Sequence, residues 1–187
     1  MMYSLPKVIT VDGNKHPIRN ECDYRIILDV LEALDDEELA EEDRLYCALY
    51  ILIGNAVNDI EDVVSAVEQM LTIINVGKPK TSGSKQPKLM DWQHDFGEIA
   101  PAISKYLGYD VRDEARWTHW WTFVGGYKEV GDCSFSAIVA IRKKRIKGKK
   151  LEDWEREFCQ NHPDLINLPS RLSSSDREWL EELEEGE

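Results

Sequence analysis

The stretch Trp117-Thr118-His119-Trp120-Trp121-Thr122-Phe123-Val124 places three of the chain's six tryptophans within five residues. Its spacing predicts a helix over 113–128, with Trp117, Trp120, Trp121 and Val124 at i, i+3, i+4 and i+7. Each indole on such a face buries about 150–250 Å². At roughly 25 cal/mol per Å², the stripe would supply a large share of a small core. The other reading is an aromatic anchor for a partner helix. His119 falls off the stripe, near Ala115 and Phe123, and reads as a packed, hydrogen-bonded imidazole rather than a general base.

On the amino-terminal side, Asp95-Phe96-Gly97-Glu98 has the form of a helix cap with a carboxylate three residues on. That helix is expected to run to Leu107, to be kinked or shortened by Pro101, and to stop at Gly108. Residues 77–88 carry two prolines, two glycines and four lysines, the composition of a tether. Further back, 59–75, 42–53 and 21–34 show helical periodicity, the last through Tyr24, Ile27, Leu28 and Leu31. The acidic run Asp35 to Glu38 reads as a solvated connection. Residues 7–19 form a hairpin pattern, with Asp12-Gly13 as its turn and Pro17 confining the return strand to an edge.

On the carboxyl side, Ser134 is expected to cap a helix bearing Phe135, Ile138, Val139 and Ile141. A further helix covers 150–160, where Leu151, Trp154, Glu155 and Phe158 share a face. Arg177 to Glu185 has the pattern of a short acidic helix. The expected class is mainly α, a multi-helix globular fold with a small N-terminal β-hairpin. The expected organisation is a hairpin-plus-helix region at 1–77, a basic linker at 78–90, a helical subdomain at 91–168 and an acidic tail at 169–187.

Charge is segregated. The formal net charge is -13, and five Lys/Arg face 16 Asp/Glu over 1–77. Seven bases and no acid occupy 142–150. The overall balance disfavours nucleic acid and anionic lipid. The run of Arg142, Lys143, Lys144, Arg145, Lys147, Lys149 and Lys150 is therefore read as a solvated connection that pairs with acids, within the chain or on a partner. At the C-terminus of a helix its bases also complement the dipole. The alternative is a phosphate-contacting patch on a nucleic-acid-binding regulator.

The four cysteines, Cys22, Cys47, Cys133 and Cys159, are widely spaced and read as reduced thiols. Asp59, Glu61 and Asp62 lack the spacing of a calcium loop. His94-Asp95 are sequence neighbours rather than a base and its orienter. No nucleophile motif or glycine-rich phosphate loop is present. The expectation is a protein that is not an enzyme, without cofactor, metal or small-molecule substrate. There is no signal-peptide pattern and no run of some 18 apolar residues, so the expected compartment is the cytoplasm.

The second half resembles a bacteriophage family named after gene product fifteen, found in phages and prophages of Gram-positive bacteria. The resemblance is carried by Asp95-Phe96 with Ile99, then Tyr106-Leu107-Gly108-Tyr109-Asp110-Val111, then His119-Trp120-Trp121-Thr122-Phe123. Phe135, Ile138, Ile141-Arg142 and the basic run before Leu151 to Phe158 continue it. It covers roughly 90–168; the first half fits loosely, and the tail beyond Ser170 matches nothing in the family. The resemblance implies a gene between those of the major tail protein and the tape measure, and hence a tail assembly chaperone. Its partners would be the tape-measure protein and tail-tube subunits, in the host cytoplasm, with absence from the mature virion. A structural tail connector or completion protein is the alternative, and an exposed aromatic face would favour a homo-oligomer.

Overall fold

A computed structural model describes residues 4–78 and 87–169. The acidic tail and the middle of the 77–88 stretch, both singled out above, lie outside the described residues. Within them the chain forms one two-stranded antiparallel sheet and eight α-helices. The mainly α class with a small amino-terminal hairpin is therefore what the chain adopts.

Strands β1 (Val8–Val11) and β2 (Asn14–Pro17) pair with Ile9 opposite His16 and Val11 opposite Asn14. The hairpin turns at Asp12 and Gly13, both at positive φ (54° and 77°), as a tight two-residue turn requires. An isolated hairpin is marginal, and this one is tied to a helix. The Thr10 N–H donates to Gln69 Oε1 at 2.8 Å and Gln69 Nε2 donates to the Thr10 carbonyl at 2.6 Å. The Gln69 amide thus pairs with the open edge of β1 as a neighbouring strand would. Asp12 Oδ2 accepts the backbone N–H groups of Glu61 and Asp62, which ties the hairpin turn to the start of α3.

Helices α1 (Tyr24–Asp35), α2 (Glu41–Ile53) and α3 (Val63–Ile74) build the first half. Asp23 caps α1 by accepting from Arg25 N, and Asp62 caps α3 by accepting from Ser65 N. α3 starts later than its apolar pattern suggests, because residues 54–59 tighten into a 3₁₀ turn after Gly54. α4 spans Phe96–Leu107 and Pro101 does not end it. It stops at Gly108, whose φ of 77° lies in the left-handed region that favours glycine.

α5 (Trp120–Glu129) is shorter than expected. Residues 113–118 form turns instead, and His119 is extended (φ -61°, ψ 141°) and bridges antiparallel to Asp23. The Trp117–Trp120–Trp121 stripe is thereby broken. α6 (Ser134–Ile146) is capped one residue earlier than expected, by Cys133, in a reciprocal exchange with Ser136. α7 (Asp153–Asn161) starts at a Glu152–Glu155 capping box, and the short α8 (Pro163–Ile166) follows. The predicted common face of that region splits: Glu155 is buried, while Trp154 is exposed.

One cluster of buried side chains runs from Ile9 and Val11 through α1–α5 to Phe135. It draws on residues from both sides of the 78–90 segment. A second, smaller cluster of Ile138, Ile141 and Ile166 lies under α7.

Candidate functional site

An open groove of about 890 Å³ lies between α1 and the segment that leads into α4. Tyr24, Leu28 and Leu31 line it from α1; Met90, Trp92 and Phe96 line it from the other side. Its walls are stiff for a physical reason: they are aromatic rings packed on rings. Tyr24 stacks on Phe123 with centroids 4.3 Å apart and lies 6.3 Å from Phe96. Trp92 packs edge-on against Trp120 and Tyr127. The Tyr24 hydroxyl donates to the Val111 carbonyl at 2.9 Å. Such edge and offset contacts add about 0.5–1.5 kcal/mol each beyond their buried area.

The rim is acidic. Asp29, Glu32, Asp35 and Glu114 edge the groove, with Asp91 deeper. Among the described residues its three cations already have internal acceptors. Lys88 bridges Asp35 (3.0 Å) and Asp91 (2.8 Å); burial alone would lower its pKa, but these two bonds and their charges raise it. Arg25 binds Asp23 and the carbonyls of Val111, Asp113 and Arg116. Arg112 holds Asp110, whose carboxyl falls to about 2 through those hydrogen bonds. Among the described residues Asp29, Glu32 and Glu114 form no comparable ion pair, and partial burial with the Glu32 charge pushes the Asp29 carboxyl upward. A cation brought to this rim would relieve that repulsion.

At one end the groove meets a strained turn. Asn20, Glu21 and Cys22 are consecutive residues at φ of 46°, 52° and 68°, a left-handed run that costs each non-glycine residue roughly 1–2 kcal/mol. Trp117, still 47% exposed, spans this turn with its indole N–H on the Asn20 carbonyl. Burial pushes the Cys22 thiol up to about 12, so it stays protonated and unreactive. Among the described residues, the groove lining holds no serine, cysteine or histidine.

The motif residues are divided among structural tasks. His119 caps α5: its Nδ1 accepts from Trp121 N at 3.0 Å, and its Nε2 lies 2.9 Å from the Pro6 carbonyl. A carbonyl cannot donate, so the ring is neutral with its proton on Nε2, and burial lowers its pKa. Trp120 and Trp121 donate their indole N–H groups to the carbonyls of Ile74 and Ile73. These are carbonyls at the end of α3, the kind a helix leaves without intrahelical partners. The two tryptophans therefore clamp the C-terminus of one helix from the N-terminus of another.

Gly77 completes the clamp. It has φ of 76°, and a Cβ there would sit 3.1 Å from the Trp121 ring. Phe123 lies in the centre of the aromatic cluster, and Phe135 and Ile141 are buried. Gly108 ends α4, Asp110 turns the chain through Arg112, and Tyr106 is exposed beside Gly126.

Asp95 and Arg142 depart most from their sequence reading. Asp95 occupies the cap position of α4 but its side chain does not cap. Its carboxylate clasps Arg142 in two 2.7 Å bonds, with both side chains 3% exposed, and accepts from Asp91 N. Arg142 also donates to the carbonyls of Leu89, Leu165 and Ile166. It is a buried staple between α4, α6 and α8, not a solvated base at the head of the basic run. A planar five-donor fork suits a site with this many acceptors. His94, beside Asp95, instead meets the Asp164 carbonyl at 3.0 Å.

The rest of the basic run lies at the end of α6, away from the groove. Lys144 bonds Glu155 at 2.6 Å, and Arg145 bonds Asn167. Lys143, Lys147, Lys149 and Lys150 are exposed. The groove itself was not visible as a sequence pattern. Leu28 and Leu31 share a helix with core residues, and Met90 and Trp92 sit in a non-periodic stretch, where period reveals nothing.

A family model described as "Bacteriophage Gp15 protein" matches residues 1–168. No curated protein and no solved structure matches the chain. The matched span includes the hairpin and first three helices, as well as the motif-bearing second half.

Proposed function

The chain belongs to the bacteriophage Gp15 protein family, and we propose that it acts in tail morphogenesis as a non-catalytic chaperone for other tail proteins. The clients would be the tape-measure protein, tail-tube subunits or both, met in the host cytoplasm and released before the virion is complete. One observation carries this reading: the aromatic-walled, acid-rimmed groove beside α1. Stiff apolar walls suit helix-in-groove recognition, in which an amphipathic helix lays its apolar face into a preformed channel. The surrounding carboxylates keep such a complex soluble. The basic run is weakened as a nucleic-acid site, since Arg142 is buried and Lys144 is paired within the chain.

Co-expression with the tape-measure protein tests the proposal. The wild-type chain should co-purify with that client and raise its soluble yield. Leu28→Asp or Leu31→Asp, which charge the groove from half-buried positions, should abolish both effects while the helical signal persists. Stoichiometric presence of the chain in purified particles, with no effect on client solubility, would favour a structural tail component instead.

A further inference from the structure

The molecule carries a second surface that complements the groove in both shape class and charge. At the end of α6, Ile146 is 50% exposed among Lys143, Lys147, Lys149 and Lys150. Trp154, on α7, is 52% exposed. Lys144 reaches Glu152 at 3.9 Å and Glu155 at 2.6 Å, the two residues that bracket Trp154. Trp154 stands beside the exposed carboxylates of Glu152 and Asp153, so the basic surface is the end of α6 alone. This corner is a basic helix end tipped with isoleucine, and lysine stems extend its apolar surface.

The corner cannot swing into the groove of its own chain. Lys144–Glu155, Arg145–Asn167 and the buried Arg142–Asp95 pair fix it to the body, and none of its residues lines the groove. The rim acids Asp29, Glu32 and Glu114 form no ion pair with it. Two complementary surfaces held apart on one rigid molecule can meet only between copies.

We infer that the acid-rimmed groove receives the basic corner at the end of α6 of a second copy of the chain, joining copies head to tail. The inference rests on the reading of the groove as a docking site. Ile146 enters between Leu28, Leu31 and Trp92, while the lysines meet Asp29, Glu32 and Glu114. The contact is heterologous, so it propagates unless its rotation closes a ring. Whole-molecule charge of -13 opposes it. The contact is consequently weak, works over short range, and leaves the groove open to a competing client helix.

Sedimentation equilibrium of the full chain at about 0.1 M and about 1 M salt tests this; screening lengths there are about 10 Å and 3 Å. Two surface variants complete the experiment: Asp29→Lys with Glu32→Lys, and Lys143→Glu with Lys147→Glu. All four positions are exposed, and circular dichroism checks the fold of each variant. The expected wild-type result is a mass that rises with concentration at about 0.1 M salt and returns to monomer at about 1 M. Each variant alone should stay monomeric. Mixed one to one, they should associate again, since the unaltered groove of one meets the unaltered corner of the other.

A wild-type chain that is monomeric throughout would overturn the inference. So would a mixture that stays monomeric, or a variant that assembles as the wild type does. Client capture by Lys143→Glu/Lys147→Glu separates this from the chaperone reading. That variant keeps its groove, so loss of self-association with retained capture leaves the functional proposal intact.

Discussion

At the scale of single residues, the pattern that drew attention in the sequence and the task it performs are different things. His119 is a helix cap whose accepting nitrogen must stay unprotonated. Burial depresses its folded-state pKa, so its contribution is full above the unfolded value of about 6.5 and is lost as pH falls from there toward the folded pKa. Urea midpoints between pH 5 and 8 should fall on the acid side for the wild type, by at most about 1.4 kcal/mol per pH unit. His119→Asn, which keeps a good cap residue, should flatten that dependence. Arg142→Met should cost about 3–5 kcal/mol in chemical denaturation, since it strands a buried carboxylate. Asp29→Asn should behave oppositely. Removing a charge disfavoured by burial and Glu32 should leave stability within about 0.5 kcal/mol of wild type or slightly higher, while weakening client capture. If Asp29→Asn unfolds the protein, the rim has a structural task that its geometry does not display.

At the scale of elements, packing decides which local signals prevail. The indole pattern predicted a helix over 113–128, but the Asp23–His119 bridge and the turns before it delay α5 to Trp120. Local periodicity lost because the extended segment makes two long-range hydrogen bonds, from His119 Nε2 to the Pro6 carbonyl and from Tyr24 N of α1 to the Thr118 carbonyl. The junction of α4 and α5 offers a sharper test. A Cβ at Gly126 would lie 3.1 Å from Ile103 Cγ2, whereas one at neighbouring Gly125 meets open space. Gly126→Val should therefore destabilise by about 1–3 kcal/mol through overpacking. Gly125→Ala should stabilise by about 0.5–1 kcal/mol, because alanine is the better helix former. Thermal melts of the two variants, read against wild type, should move in opposite directions.

At the scale of the whole molecule, the continuous core implies cooperativity. Tyr24 of α1 stacks on Phe123 of α5, and the indoles of α5 hold the end of α3. All six tryptophans lie at or beyond position 92, so their fluorescence reports on the second half, while far-ultraviolet dichroism reports on every helix. The two probes should give coincident urea transitions. Separate midpoints would show that the regions on either side of 78–90 unfold independently. The sequence by itself determined the helical class, the hairpin and most helix stops. Those features arise from period, turn residues and caps, which act over a few neighbours. Family membership was also legible, in the order of its motifs from Asp95 to Phe158. Only the tertiary structure decided that Arg142 is a buried staple, that Trp120 and Trp121 clamp α3, and that half-buried side chains of α1 face Met90 and Trp92 across an acidic groove. These are pairings between residues 46 to 64 positions apart, and no local spacing encodes which carbonyl or ring a side chain will meet.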